Sequence, residues 1–172
     1  MKQSIRNLSV MSLLALFSLP VSAMPVKLVL DFIEVANTSE TRGDELYFNV
    51  TSYGKDRDYD HYQVPSFPTH WFSDRLEEVK DVVLWEKDLE EGESVELIVS
   101  LTERDVPPWN IDDLIGSIKV KVMNDDDDLA YKWSLYADRG DTELLEQDDE
   151  NNVYKMTGDD SEYTVSFTLY ES

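Results

Sequence analysis

The chain has 172 residues, 37 Asp and Glu against 15 Lys and Arg, a formal charge of −22, no cysteine and 41% hydrophobic residues. That length suits one domain, and four Trp, nine Tyr and six Phe supply enough apolar bulk for a core, which sets the chain apart from disordered acidic tails. The charge argues against a nucleic-acid partner, whose phosphates are bound through Lys and Arg, and the lack of cysteine removes disulfides, thiol nucleophiles, zinc fingers and iron–sulfur clusters.

In chain order, Lys2 and Arg6 precede an apolar run from Leu8 to Leu19, and the small-residue stretch Pro20-Val21-Ser22-Ala23 follows. This is the layout of a secretory signal peptide cleaved after Ala23. The run is shorter than the roughly 20 residues a membrane-spanning helix needs. The expectation is a cleaved leader over 1–23, a single domain over 24–172 without a transmembrane segment, and a periplasmic or secreted location. Cleavage removes two basic residues and no acidic one, so the mature charge is two units more negative than that of the whole chain.

Val26, Leu28, Leu30 and Phe32 alternate with Lys27, Val29, Asp31 and Ile33, the period of two of a strand with one buried face. Leu46, Phe48 and Val50 repeat it. A segment punctuated by Pro65 and Pro68 runs into Trp71, Phe72, Leu76 and Val79 at closer to helical spacing, and Ser73 with Asp74 predicts one short helix there, within a loop. Val82–Leu89 and Val95–Leu101 read as strands joined by a turn at 90–94, where Gly92 permits positive φ. Ile115–Met123 continues the series until Asn124 and Asp125–Asp128 break it. Ala130–Ala137, Val153–Met156 and Tyr163–Tyr170 are further strands, the last two flanking a turn at 157–161. Short alternating strands separated by turns predict an antiparallel β-sandwich.

The segment richest in chemistry begins where a strand ends in acids two apart, Glu103 and Asp105; a loop follows, and Asp112 and Asp113 open the next strand. Alternation predicts that Glu103 and Asp105 project to one side, with Asp112 and Asp113 returning to the same end. Hard cations such as calcium take six to eight oxygen ligands from loops of this kind. The pattern of strand, acid, any residue, acid, loop, then Asp113-Leu114-Ile115-Gly116 resembles a C2-type domain, the eight-stranded calcium-binding sandwich. Glu40-Thr41-Arg42-Gly43-Asp44-Glu45, running into Leu46–Val50, resembles that family's first calcium loop. The resemblance covers roughly residues 26–123 and implies an all-β, antiparallel, eight-stranded C2-like sandwich. It further implies a calcium site drawn from Glu40, Asp44, Glu103, Asp105, Asp112 and Asp113. The chain departs from the family in having Glu103 for an aspartate, a longer third loop, and Asp44-Glu45 where Asp-Pro is usual. So many carboxylates in one site repel, by roughly 4 kcal/mol for each pair at 4 Å and an effective dielectric of 20, unless a cation joins them or they remain separate solvated loop acids.

Val106-Pro107-Pro108-Trp109-Asn110-Ile111 places apolar side chains between these acids, as at a loop tip that docks on a membrane or packs back over the sandwich. His61 and His70 match no zinc-ligand spacing. Arg42-Gly43-Asp44 and Arg139-Gly140-Asp141 are explained by the turn preferences of Gly and Asp. No Gly-x-Ser-x-Gly elbow, thiol or phosphate-cradling glycine loop is present, so an enzyme is not expected. Two functions remain open: an exported module that binds calcium and presents its loop end to a lipid, glycan or protein partner, and a metal-independent acidic structural or interaction domain.

Overall fold

The computed structural model describes residues 23–38, 40, 43–55, 58–105, 111–126, 128–136, 141–148 and 151–171. The leader up to residue 22, the apolar loop 106–110, and Arg42, Arg139 and Gly140 of the two Arg-Gly-Asp tripeptides lie outside the described residues. Eleven strands are described: β1 (Met24–Asn37), β2 (Glu45–Tyr53), β3 (Tyr59–Val64), β4 (Trp71–Phe72), β5 (Lys80–Leu89), β6 (Ser94–Glu103), β7 (Asp113–Asp125), β8 (Asp128–Leu135), β9 (Asp141–Gln147), β10 (Asn152–Gly158) and β11 (Ser161–Glu171). One sheet runs β5-β1-β11-β10-β9 and the other β3-β2-β6-β7-β8, with β4 beside β2. All pairings are antiparallel.

The chain is thus an all-β sandwich, as expected, but with eleven strands where eight were predicted. The additional strands are β3, β4 and β9. β3 and β9 are sheet edges whose residues are mostly exposed, so they carry no buried face and hence no alternation to read. The expected helix is a 3₁₀ helix over Ser73–Glu78.

The core forms where inward rows of the two sheets meet. Leu46, Phe48 and Val50 from β2, Leu97, Val99 and Leu101 from β6, and Ile118, Val120 and Val122 from β7 face Leu28, Leu30, Tyr154, Val165 and Phe167 from the other sheet. The Phe48 and Phe167 rings meet edge-on, with centroids 5.8 Å apart, across the sheet interface. Burying each such side chain contributes about 1.5–3 kcal/mol.

Strand order fixes which loops share an end. β2 begins beside the end of β6, with Leu46 opposite Glu103, and β7 begins there too, with Asp113 opposite Glu103. The β10–β11 turn, with Asp159 and Asp160 at positive φ, closes the same end of the other sheet. The aspartates at 125, 126 and 128 fall at the opposite end, where β7 turns into β8.

Candidate functional site at the acidic end of the sandwich

The inward rows do not stop at apolar residues. One step before Leu46, the β2 row reaches Asp44; one step beyond Leu101, the β6 row reaches Glu103; the β11 row of Phe167, Val165 and Tyr163 ends at Ser161. All are buried, Asp44 to 0% and Glu103 to 2% exposure. Asp44 Oδ2 accepts from the Ser161 hydroxyl at 2.6 Å and from the Tyr163 hydroxyl. Its Oδ1 accepts from the Glu40 amide at 3.2 Å. Three of the roughly four lone-pair sites of this carboxylate are therefore filled. The Asp44 amide donates to Ser73 Oγ at 2.8 Å, and Ser73 N donates back to the Asp44 carbonyl at 3.0 Å. Burial, then the Asp44 hydrogen bond, then the charges of Asp44 and Glu103 push the Tyr163 phenol far above its ordinary value, so it remains a donor. This polar cluster plugs one end of the core and ties β11 in one sheet to the start of β2 in the other.

Glu103 and Asp105 thus part company. β6 ends at Glu103, so alternation does not carry through to Asp105. A register shift between Leu101 and Thr102, opposite Ile115, further disturbs the pairing just before this point.

Asp105 joins a second, more exposed group. Its amide donates to Asp112 Oδ1 at 3.1 Å, while the Tyr47 hydroxyl donates to Asp112 Oδ2 at 2.7 Å. Burial and the Asp112 carboxylate push the Tyr47 phenol up to about 12. The guanidinium of Arg104 lies 4.8 Å from the centre of the Tyr47 ring and 5.1 Å from that of Phe67. It donates to the carbonyls of Pro68 and Thr69 at 3.0 and 3.3 Å, holding the 65–72 segment against this end. Asp105 Oδ2 is sheltered from solvent and has no hydrogen-bond partner among the described residues. Desolvation, then the charges of Asp159 and Asp105 and contact with the Asp105 carboxyl, then the charge of Asp112, raise the Asp113 carboxyl above its ordinary 3.8.

The six predicted acids therefore lie at one end in two sets. Asp44 and Glu103 belong to the buried plug, with the Glu40 backbone bonded to Asp44; Asp105, Asp112 and Asp113 form a repelling group joined by Asp159. Among the described residues no group of three or more His, Cys, Asp or Glu is arranged to hold a metal ion. His61 meets Thr51 at 2.9 Å and His70 meets Glu45 at 3.7 Å, at different points along β2. Sequence reasoning missed Ser73, Ser161, Tyr163, Tyr47 and Asp159. Ser161 and Tyr163 lie 117 and 119 residues from Asp44, beyond any local signal; only extending the buried rows by one step would have brought them in.

A raised carboxyl pKa means that the folded state holds the proton more tightly than the unfolded chain. Its effect on stability is absent below the unfolded value, grows unfavourable as pH rises from there to the folded value, and is constant above it. Asp113→Asn should therefore raise the melting temperature at neutral pH and flatten the fall in stability as pH climbs from 3.8. Calorimetric melts across this range would read both; an unchanged profile would mean that Asp113 feels no net repulsion.

No family model, curated protein or solved structure matches the chain at a significant level.

Proposed function

We propose that the protein is an exported acidic β-sandwich module of C2 type that takes up calcium at its acidic end, through Asp105, Asp112 and Asp113, and presents that end to a partner. The observation that carries this is the sheltered Asp105 Oδ2, without a hydrogen-bond partner among the described residues, on a carboxyl that meets a second one, Asp113, whose proton affinity is raised by burial and then by its acidic neighbours. A cation relieves that repulsion as a proton does, and with a larger charge. Asp112 can join while keeping its bonds from Tyr47 and Asp105, since each of its oxygens retains a lone pair. Asp44 and Glu103 serve as scaffold, narrowing the ligand set that the family resemblance implies. Beyond Asp105, the next described residue, Ile111, is 84% exposed beside the acids and supplies apolar surface for a partner.

A metal-independent acidic interaction domain is the alternative. It is favoured by the enclosure of Asp44 and by the absence, among the described residues, of a ready-made three-ligand group. Melting with calcium and with chelator, at constant ionic strength, separates the two. Calcium at a hundred times its dissociation constant adds about 2.7 kcal/mol, and equal melting temperatures would leave only the metal-independent module.

A further inference from the structure

At the opposite end of the sandwich, we infer a second binding site, for a neutral oligosaccharide, in the cleft between the end of β2 and the β5–β6 hairpin. The cleft has a volume of about 920 Å³ and shares Gly54 and Lys87 as walls with a neighbouring smaller depression of about 250 Å³ beside β3. Tyr53 lines the first and Tyr59 the second. The two residues are register partners on β2 and β3, with ring centroids 6.4 Å apart and planes inclined by 29°. They remain 44% and 64% exposed, although aromatic rings are among the residues with most to gain from burial. A cross-strand pair accounts for their contact with each other; it does not account for the ring surface each leaves open toward its own hollow.

The polar lining selects the ligand class. Lys55, Lys87 and Lys121 stand around the larger cleft, an unusual gathering of ammonium groups in a chain so poor in bases. Asp88, Glu90, Glu91, Glu93 and Glu96 line the same walls, and Lys87 is already bound to Glu93 at 2.7 Å. A polyanion would meet five carboxylates and a polycation three ammonium groups. A sugar hydroxyl donates to a carboxylate and accepts from an ammonium, so a neutral polyol uses both signs at once. The C–H face of a pyranose supplies the apolar surface that an exposed tyrosine ring lacks, while the scarcity of apolar side chains here disfavours the hydrophobic ligands of ordinary small-molecule pockets.

The test is affinity electrophoresis of the mature chain through native gels containing dextran, mixed-linkage β-glucan, galactomannan or xylan. Heparin and polylysine gels serve as charged controls, and maltohexaose and cellohexaose titrations followed by NMR give affinities. Retardation by at least one neutral polysaccharide is expected. Tyr59→Ala and Tyr53→Ala should each weaken binding by about tenfold, whereas Tyr59→Phe, which keeps the ring, should bind nearly as well as the parent chain. Lys121→Gln, an exposed change that cannot disturb the core, should weaken it too. Asp105→Asn and Asp113→Asn should leave sugar binding intact with or without calcium, which separates this site from the acidic end. No retardation by any neutral polymer, retardation by heparin or polylysine alone, or binding that survives the loss of both tyrosine rings in a chain that still melts cooperatively would each overturn the assignment.

Discussion

Replacing Asp44 with alanine is expected to lower the unfolding free energy by about 4 kcal/mol, since each buried donor left without its acceptor costs roughly 1–3 kcal/mol. The Ser161 and Tyr163 hydroxyls and the Glu40 amide would all lose their acceptor, and Ser161 and Tyr163 are fully buried, out of reach of water. Asp44→Asn should be milder, about 1–2 kcal/mol, because one carbonyl oxygen remains and the hydroxyls can rotate to accept from the new amide. Urea unfolding of Asp44→Ala, Tyr163→Phe and the double variant should show strong non-additivity, since both single changes disrupt the same bond. Additive losses would mean that the two groups do not act together.

A second large loss is expected at Gly158, where the end of β10 crosses close to β7. A Cβ there would stand 2.6 Å from the Leu114 carbonyl oxygen and 2.8 Å from Ile115 Cα, both backbone atoms that cannot swing aside. Gly158→Ala should destabilise by about 3 kcal/mol, or roughly 6–12 °C in melting temperature for a chain of this size. Gly92 provides the contrast. A Cβ added there would meet nothing within 4 Å, but the φ of +73° disfavours alanine, so Gly92→Ala should lose only about 1 kcal/mol. Thermal melts of the two variants side by side check this order; equal losses would show that the sheets can separate at Gly158 at little cost.

The central strands were legible because each buries one face and exposes the other: the alternation in Leu46–Val50, Ile118–Val122 and Tyr163–Leu169 is visible in the order of residues alone. Edge strands obey no such rule. Tyr59–Val64 and Asp141–Gln147 are mostly exposed, and their strand state depends on a neighbour's hydrogen bonds rather than on their own pattern. For the site, the loops predicted to share an end do share it, because antiparallel pairing returns each chain to where it left. What local pattern does not reveal is depth. Asp44 and Asp113 are both aspartates at the mouth of a strand, yet one continues an inward row into the core and the other stands at the rim, and that difference divides scaffold from candidate ligand.

Calcium-dependent stabilisation measured in parallel on the parent chain, Asp44→Asn and Asp105→Asn/Asp113→Asn tests that division most directly. The parent should gain stability with calcium. Asp44→Asn should start from a lower melting temperature and gain a similar increment, whereas the double variant should melt no lower than the parent without calcium and gain nothing from it. A parent chain indifferent to calcium, or an increment that disappears with Asp44 and survives in the double variant, would contradict the assignment of the ion to the rim aspartates.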